Sequence, residues 1–369
     1  MKTGIVTIYD VPNYGSVLQA YATQQLLTDL GCEPVFIEYD RANKWYTDHA
    51  HIKESSALRK FARKLGLKPE HRKILRLNAF KRKYFIKTRV FKDLDDLQRE
   101  SWDGFDTFVA GSDQVWNPRY LVGDSVFMLS FAPDRAKKIS IASSFASSEL
   151  PEEYVAKFKR YLSRFDAISV REANGLKIVK EQLGLNLEPR LLLDPTLLLS
   201  GAQWSECLRI KQKPKRKYIL VYMLTYAFEP RPYIYDVIRR FKNDTGFDVL
   251  ALEGYSKSAP QDLGMQDKCD SSVPDFVNLF ANAEIVITSS FHGTAFAVNY
   301  SKPVISIIPS GGDDRQLSLL QTLGISHCAV SIGTPVKELN PYYDADKVQQ
   351  HLQDIREENI NWIRTQIAK

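Results

Sequence analysis

Short apolar segments alternate with longer amphipathic ones along this chain, and no other feature restricts its fold as much. The apolar segments are bounded by turn residues and are too short for helices, which is typical of buried strands. They lie at residues 5–9, 34–39, 107–110, 138–143, 167–170, 218–223, 248–252, 285–287 and 304–308. Helical periodicity is found at residues 17–30, 153–164, 231–243, 274–283 and 345–367. Strands that alternate with helices predict parallel sheets and an α/β fold.

The alternation is interrupted between about residues 191 and 217 and then begins again with a strand. A chain of 369 residues is long enough for two domains of ordinary size. We therefore predict two wound, Rossmann-like domains, residues 1–195 and 196–340, and a C-terminal helix at 341–369 that crosses back to the first domain. Ligands of open α/β sheets bind at the carboxyl ends of the strands, so we expect the active site in a cleft that both domains face.

The positive charge of the chain is concentrated in one segment. Residues 53–92 contain fifteen Lys or Arg and two acidic residues, a balance of +13, so the remainder of a chain with formal charge +6 sums to −7. Apolar residues recur between these charges at helical spacing, which predicts helices with one apolar and one cationic face. Such helices are either solvated elements packed on their domain or a surface for an anionic partner, namely a lipid membrane or a diphosphate-bearing acceptor. Nucleic acid is not expected, because the segment has no recognisable nucleic-acid-binding signature.

The sequence lacks the features of exported, membrane-spanning and metal-dependent proteins. The first apolar stretch is too short for a signal peptide, and no apolar run approaches the ~18 residues that cross a bilayer. The four cysteines are scattered and form no CxxC pair, which predicts reduced core thiols rather than a zinc site or a disulfide framework. We therefore expect a cytoplasmic protein, at most peripheral to the inner face of the cell membrane, with no obligatory metal and no cofactor.

Residues 284–295 carry the strongest sign of a binding site, because they read as a strand, a hydroxyl-rich turn and a helix. Gly293 allows a ligand to approach the backbone at the positive end of the helix dipole, where a phosphate or carboxylate fits. His292 at the same place can contact a phosphate or pass a proton to a reacting carbon. The alternative is a capping turn in which the histidine has only a structural role. The residues assigned to donor binding in this segment are Ser289, Ser290, Gly293 and Thr294.

Two polar loops follow strand candidates of the first domain and are candidates for acceptor binding. In the first loop, Gly15 is free to adopt a positive φ and Ser16 can cap the next helix. The second loop brings a carboxylate, an amide and an indole together, a set that suits sugar hydroxyls and the face of a sugar ring. Either loop can instead be a simple turn, with the tryptophan in the core. The candidate acceptor-binding residues are Asn13, Tyr14, Gly15, Ser16, Gln114, Trp116 and Asn117, and the carboxylate is that of Asp113.

Two arginines are placed to hold an anion. Arg171 follows the strand candidate at 167–170, and its planar guanidinium matches a carboxylate or phosphate with two parallel hydrogen bonds. The alternative is a surface ion pair with Glu172. Arg315, which follows a glycine-rich segment of the second domain, is a further candidate cation.

Taken in order, these segments resemble the polysaccharide pyruvyl transferase family. The resemblance spans roughly residues 4–325 and rests on residues 13–22, 111–117, 169–172, 193–196 and 289–294. It implies a fold of the GT-B type and transfer of the enolpyruvyl unit of phosphoenolpyruvate to a sugar as a ketal, in the biosynthesis of a cell-surface polysaccharide such as a capsule or an exopolysaccharide. The sugar acceptor is then either part of a polysaccharide or its precursor linked to a lipid diphosphate.

The resemblance also carries residue roles. In the family, the histidine of the His-Gly turn and arginines around the cleft are associated with donor binding and catalysis, and here His292 and Arg171 match those positions. Some members have Arg-Leu before the His-Gly pair, where residues 290–291 of this chain are Ser-Phe. We expect Arg315 or Lys302 to supply the missing cation.

The hypothesis for the chemistry follows from these positions. His292 is the general acid or the phosphate contact, the 289–294 turn holds phosphate, Arg171 orients the donor carboxylate, and Asp113 activates a sugar hydroxyl. Two other readings of the chain stay open at this point. One is a nucleotide-sugar glycosyltransferase of the same architecture, against which residues 288–303 contain no carboxylate for a donor ribose. The other is a non-catalytic membrane-surface scaffold that uses residues 53–92.

Overall fold

The computed structural model describes residues 1–42, 65, 66, 68–210, 216–253, 258–310 and 314–368, which form two compact units. Unit 1 comprises the described residues of Met1–Ala57, Lys81–Leu198 and Arg356–Lys369, and unit 2 those of Leu58–Phe80 and Leu199–Ile355. The strands are β1 (Lys2–Val6), β2 (Glu33–Tyr39), β3 (Lys87–Phe91), β4 (Phe105–Ala110), β5 (Lys137–Ser140), β6 (Ser169–Val170), β7 (Arg190–Leu191), β8 (Tyr218–Tyr222), β9 (Asp248–Ala251), β10 (Met265–Asp267), β11 (Ile285–Thr288), β12 (Val304–Ile308) and β13 (Ala329–Ser331).

The α-helices are α1 (Tyr14–Asp29), α2 (Pro69–Tyr84), α3 (Leu94–Gln98), α4 (Pro118–Leu121), α5 (Glu152–Leu162), α6 (Ala173–Lys177), α7 (Pro195–Leu198), α8 (Gly201–Cys207), α9 (Tyr233–Thr245), α10 (Val273–Asn282), α11 (Phe291–Asn299), α12 (Asp314–Thr322) and α13 (Ala345–Ala368). Short 3₁₀ turns lie at Ser125–Met128, Gln261–Leu263, Ser326–Cys328 and Val336–Glu338, and a π-helical turn lies at Ile178–Gln182. Helices α2 and α13 each contribute residues to both units.

Unit 1 is built on a parallel sheet with the strand order β3-β2-β1-β4-β5. An isolated bridge from Ile139 to Ala167 joins β5 to the parallel pair β6-β7. The central strand β1 carries Gly4, and a Cβ at that position would lie 2.8 Å from the ring of Phe108 on β4. The aromatic core beside this sheet packs largely edge to face and contains Trp102, Phe105, Phe108 and Phe131.

Unit 2 is built on a parallel sheet with the order β10-β9-β8-β11-β12-β13. Numbered within the sheet, this is the order 3-2-1-4-5-6 of doubly wound nucleotide-binding folds. Helix α9 buries one face against the sheet and ends at Gly246, whose φ of 68° provides the left-handed C-cap. The buried cluster between them includes Ile219, Val221, Ile234, Val237, Ile238, Phe241, Ile285, Ile287, Ile305 and Ile307.

These two wound parallel sheets confirm the predicted α/β fold class. The strand prediction at 304–308 coincides with β12, and the other eight strand predictions each overlap an observed strand. The first prediction, 5–9, is displaced because β1 spans Lys2–Val6. Residues 7–9 are buried like a strand, but β4 pairs with β1 only as far as Ala110 opposite Val6.

The strongly basic segment is only partly helical in the described residues. Helix α2 is confirmed, whereas Lys87–Phe91 forms the edge strand β3 where a helix was predicted to continue to Lys92. Charged side chains are common on edge strands, since they prevent pairing with another chain, and here Lys87 and Arg89 made the strand resemble a continuation of the basic helix. The part of the prediction at residues 53–64 and 67 lies outside the described residues.

Several cations of this segment contact carboxylates of their own unit. In unit 2 the pairs are Arg72–Asp270 at 2.8 Å, Lys73–Glu253 at 2.6 Å and Arg76–Asp270 at 3.6 Å. In unit 1 they are Lys87–Glu38 at 2.7 Å and Arg89 with Asp96 and Glu100. These cations therefore form ion pairs within their own unit, as expected for elements packed on a domain. Attraction of the segment to a membrane stays a prediction. None of the helices in the described ranges is long and apolar enough to cross a bilayer.

The four cysteines are free thiols, and three of them are buried. Burial raises the pKa of the Cys32 thiol, and it raises the pKa of Cys328 to about 12. The pKa of Cys269 is also raised to about 12, by burial and by nearby carboxylates. The predicted burial of cysteines in the core is therefore confirmed at these positions. Since the thiolate is the reactive form, these three groups are protonated and shielded at pH 8.

We expect a thiol-reactive chromophore at pH 8 to label only Cys207 quickly in the native protein, because Cys207 is the one of the four that is only half-buried. All four thiols will react once urea unfolds the chain. The count of fast thiols in a spectrophotometric titration measures this, and a Cys207→Ser variant should show none. Rapid reaction of two or more native thiols would contradict the burial described here.

Candidate functional site

In each unit, polar side chains meet at the carboxyl edge of the sheet between the first strand and the fourth. In unit 1 these strands are β1 and β4, and in unit 2 they are β8 and β11. The strand order reverses at this point, so the connections on either side of it leave in opposite directions and open a crevice. Open α/β sheets bind their ligands there, which makes the two edges the candidate sites.

The loop after β1 is organised around Asn13 in unit 1. Asn13 is the N-cap of α1, and its Oδ1 accepts hydrogen bonds from the backbone N–H of Gly15 at 2.8 Å and of Ser16 at 3.4 Å. The helix therefore begins at Tyr14 and not at about Val17, and the prediction of Ser16 as cap and Gly15 at positive φ was wrong. Asparagine and serine are comparably good caps, and here the Asn13 side chain reaches both amides.

With the cap elsewhere, Ser16 contacts Asp113. The Ser16 hydroxyl donates to Oδ2 of Asp113 at 2.6 Å, and the backbone N–H of Gln114 donates to Oδ1 at 2.9 Å. Asp113 has a φ of 71°, in the left-handed region that costs a residue with a side chain about 1 kcal/mol or more. Strained backbone of this kind concentrates at functional sites, and here it points the carboxylate at α1.

Arg171 lies directly after β6 and is the only cation of a buried cluster within the described part of unit 1. Its side chain is 1% exposed. Its Nη1 lies 2.8 Å from Asp194 Oδ2, its Nη2 lies 3.6 Å from Asp113 Oδ1, and its Nε lies 3.8 Å from Glu172 Oε2. The alternative of an Arg171–Glu172 pair at the surface is therefore wrong. We call Arg171, Asp113, Glu172 and Asp194 the carboxylate cluster.

Each carboxylate of the cluster also accepts hydrogen bonds from neutral donors, which is how three of them are tolerated around one guanidinium. Glu172 Oε1 accepts from the backbone N–H of Phe145 at 2.8 Å and of Ala146 at 3.2 Å. Ala146 and Ala142 both have positive φ, of 49° and 53°. Within the described residues no group of three or more His, Cys, Asp or Glu side chains is arranged to hold a metal ion.

Several residues assigned to acceptor binding lie in the interior of unit 1. Trp116 is 1% exposed, packs against Phe145 and donates its indole N–H to the carbonyl of Phe127 at 3.0 Å, so no ring face is open to a sugar. Tyr14 is fully buried as well. The alternative of a tryptophan in the core is the observed one. Gln114 and Asn117 are also buried, and Asn117 donates to Gln114 Oε1 at 2.6 Å while it caps α4.

In unit 2, the hydroxyls of the turn after β11 hold the turn together. Thr288 Oγ1 donates to the carbonyl of Tyr222 at 2.7 Å, and Ser289 Oγ exchanges hydrogen bonds with the backbone of Leu224 at 2.8 and 2.9 Å. Ser290 is the N-cap of α11. Thr294 is buried, and its hydroxyl lies 2.7 Å from that of Ser306. The predicted turn exists, and its contacts fix the position of the first amides of α11.

His292 lies in the first turn of α11, within the region where a helix dipole attracts anions. It is 7% exposed, and its ring packs edge to face against Phe291 at a centroid distance of 5.3 Å. Arg315 lies in the first turn of α12, which follows the carboxyl end of the neighbouring strand β12. Lys302, in contrast, directly precedes β12 and so lies at the amino edge of the sheet, roughly 16 Å of strand away. Lys302 is therefore not the cation that replaces the missing arginine.

Gly293 is required by the packing of α11 on its strand. A Cβ there would lie 2.2 Å from Thr288 Oγ1 and 3.1 Å from a ring carbon of Tyr222. The glycine thus allows the helix to approach β11 and β8, whereas the sequence had suggested approach of a ligand.

Gly293→Ala should consequently destabilise unit 2 by about 1–3 kcal/mol, the usual cost of overpacking. Urea unfolding followed by hydrogen exchange of β11 and α11 measures the loss. In Gly293→Ala/Thr288→Ala the closest contact is removed, so the alanine at 293 should cost less there than in the wild-type background. Equal cost in both backgrounds would show that the Thr288 hydroxyl is not what the glycine avoids.

Both candidate sites fall within one family match. A model of the polysaccharide pyruvyl transferase family matches residues 13–311, which is most of the chain. The chain belongs to this family. Membership makes it a transferase that acts in polysaccharide modification, and it confirms the resemblance carried by the sequence motifs. A search of the curated proteins found no match.

Solved structures with a similar fold support the GT-B fold class predicted for this chain. The UDP complex of MnaA from S. aureus is 10% identical, with a TM-score of 0.51 over 97% of this chain and 96% of the other. The UDP-GlcNAc 2-epimerase from Methanocaldococcus jannaschii is also 10% identical, with a TM-score of 0.50 over 96% and 99%. At this identity the likeness concerns the fold alone.

The sequence patterns indicated no role for Asp194 or Ser112, although Asp194 contacts Arg171 and Ser112 contacts Asp194. Ser112 Oγ lies 2.8 Å from Asp194 Oδ2, and Asp194 Oδ1 accepts from the N–H and hydroxyl of Thr196. One signal was present, since an Asp followed by Pro at the start of a helix is a typical N-cap pattern. That pattern places a carboxylate at a helix start but does not say which arginine lies opposite.

Proposed function

We propose that this protein transfers the enolpyruvyl group of phosphoenolpyruvate to two hydroxyls of one sugar residue and so forms a pyruvate ketal. One hydroxyl proton ends on C3 of the donor, which becomes a methyl group, and the other leaves with inorganic phosphate. Two C–O bonds form at C2 while the C2–O bond to phosphate breaks, so atoms and charge balance. The observation that carries the proposal is the family match over residues 13–311, which includes the carboxylate cluster of unit 1 and the His292 turn of unit 2.

Donor chemistry is assigned to unit 2. A trianionic donor suits the start of α11, where aligned peptide dipoles present about half a positive charge. His292 in the first turn is the candidate for protonating C3, which turns C2 into an electrophile with oxocarbenium character. Arg315, in the same unit, is the candidate for the donor carboxylate, because its fork matches a carboxylate in a way that Lys does not.

Acceptor chemistry is assigned to unit 1. Asp113 is the candidate general base, since its carboxylate lies at the switch point and is oriented by Ser16 at 2.6 Å. From its sequence position, Arg171 was expected to orient the donor carboxylate. Its burial and its three carboxylate contacts favour a different role, which is to hold the cluster that includes Asp113.

The test is turnover with defined substrates. Purified protein is incubated with phosphoenolpyruvate and a panel of acceptors, namely aryl glycosides of common hexoses and the same sugars on a polyprenyl diphosphate. We expect phosphate release in a one-to-one ratio with a product whose proton spectrum has the singlet of a ketal methyl group. UDP-sugars serve as the contrasting donors. Turnover of a UDP-sugar with no consumption of phosphoenolpyruvate would overturn the proposal in favour of a nucleotide-sugar glycosyltransferase.

A further inference from the structure

The three carboxylates of the cluster do not share Arg171 equally. Asp194 takes the short contact, 2.8 Å from Nη1, whereas Asp113 and Glu172 lie at 3.6 and 3.8 Å. A contact of 2.8 Å is a charge-assisted hydrogen bond, and contacts beyond 3.5 Å are electrostatic attraction without one. Asp194 therefore sets the orientation of the guanidinium, and Asp113 has only a longer electrostatic contact with it.

The loop that carries Asp194 is itself fixed from several sides. Thr196 donates to Oδ1 of Asp194 with its N–H at 3.0 Å and its hydroxyl at 2.7 Å. On either side of Asp194, the N–H of Leu193 donates to Asn359 Oδ1 at 2.8 Å and the carbonyl of Leu197 accepts from Arg356 Nε at 2.6 Å. Asn359 and Arg356 are buried on α13. Asp194 is thus held at both ends of its loop before it meets Arg171.

Ser112 links the same carboxylate to the loop of Asp113. Its hydroxyl lies 2.8 Å from Asp194 Oδ2, and its backbone directly precedes Asp113 and the positive φ at that residue. Its carbonyl accepts from Thr7 Oγ1 at 2.7 Å, which ties the loop to the segment after β1. Asp194 consequently reaches Asp113 by two routes, through the guanidinium and through the backbone.

We propose that Asp194 is a positioning residue of the reaction, which holds Arg171 so that the Asp113 carboxylate is oriented toward the acceptor hydroxyl and is not drawn into a close ion pair. This inference rests on the proposed function, in which Asp113 is the base. Without the Asp194 carboxylate, Arg171 turns to Asp113 and Glu172, and the base becomes tied up in a hydrogen bond to a cation. Donor binding, assigned to unit 2, is not part of this chain of contacts.

Asp194→Asn tests the proposal, because the amide keeps the volume and the Oδ1 acceptor but places an N–H₂ against Ser112 and Arg171. We expect kcat per binding-competent enzyme to fall about 10- to 100-fold, as when a supporting contact of a reacting group is lost, with the KM for phosphoenolpyruvate within about twofold of wild type. Hydrogen exchange on β4 gives the fraction of enzyme in which unit 1 is folded, and calorimetric titration with phosphoenolpyruvate gives the fraction that binds donor, so loss of folded protein cannot imitate the effect. In an Asp113→Asn background, assayed with enzyme in excess, the same substitution should change kcat by less than about threefold, since residues that act as a unit are not additive.

Gln182→Ala is the matched control. Gln182 bridges to the backbone of Leu150 by two hydrogen bonds elsewhere in unit 1, so its loss lowers stability without touching the cluster. It should leave kcat unchanged and combine additively with Asp113→Asn. Additive effects of Asp194→Asn and Asp113→Asn, or an unchanged normalised kcat in Asp194→Asn, would overturn the proposal while the proposed function stands. Absence of any phosphoenolpyruvate turnover by the wild-type protein would overturn both.

Discussion

His292→Asn is expected to lower the proposed pyruvyl transfer by at least about 100-fold, the lower end of the contribution of a positioned general acid. Asparagine approximates the size of the imidazole and can still donate a hydrogen bond, so the packing against Phe291 and a contact to phosphate are largely retained. What it cannot do is deliver a proton to the donor methylene. The loss should therefore appear in kcat, and the KM for phosphoenolpyruvate should rise much less. Phosphate release under saturating donor measures it.

The matched control for this prediction is His351→Asn, an exposed histidine on α13 in the same unit. It should retain full activity. A His292→Asn variant with wild-type kcat would remove His292 from the chemistry and leave it as part of a capping turn. A variant with unchanged kcat and a greatly raised KM would instead make it a phosphate contact, and the proton donor would have to be sought elsewhere.

Arg171→Met will lower the free energy of unfolding of unit 1 by about 3–5 kcal/mol, because removal of one partner leaves buried carboxylates without their cation. Methionine fills most of the space of the arginine stem, so the loss reports charge and hydrogen bonding more than a cavity. A two-unit chain need not unfold in one step. Hydrogen exchange in urea, followed separately on β4 and β11, assigns the loss to unit 1.

The same substitution at the surface provides the comparison. Arg89 is 52% exposed and contacts Asp96 and Glu100, and exposed pairs of this kind contribute little to stability because water and salt screen them. Arg89→Met should therefore be close to wild type. Equal and small losses for the two variants would mean that the carboxylate cluster is neutralised in some other way. Loss at β11 without loss at β4 would mean that Arg171 does not act within unit 1.

Much of the fold could be predicted because strands and helices leave patterns among neighbouring residues of the sequence. Strands such as β8 are continuous apolar runs because both faces of a parallel sheet are covered, and α9 shows its buried face as a helical repeat. The edge strand β3 was missed because its charged residues, Lys87 and Arg89, resemble those of the basic helix that precedes it. Strand order has no local signal at all, and it is strand order that decides which loops meet.

The candidate site likewise has a part that could be predicted from neighbouring residues and a part that could not. His292 and its turn were found because a strand, a hydroxyl-rich turn and a helix are contiguous in the chain. The carboxylate cluster could not be found, since Asp113 and Asp194 are brought together only by the folding of unit 1. The role of Ser16 was missed for a local reason, because Asn13 and Ser16 are both good caps and the sequence does not say which is used.

The return of the last helix to unit 1 limits how this protein can be dissected. The residues that hold the ends of the Asp194 loop, Arg356 and Asn359, are encoded more than 150 positions after it. A gene fragment that stops at Leu198 would encode the carboxylate cluster and lack Arg356 and Asn359, which hold the Asp194 loop. The smallest autonomous version of unit 1 is thus a spliced polypeptide, in which the final helix is grafted behind Leu198 by a designed linker.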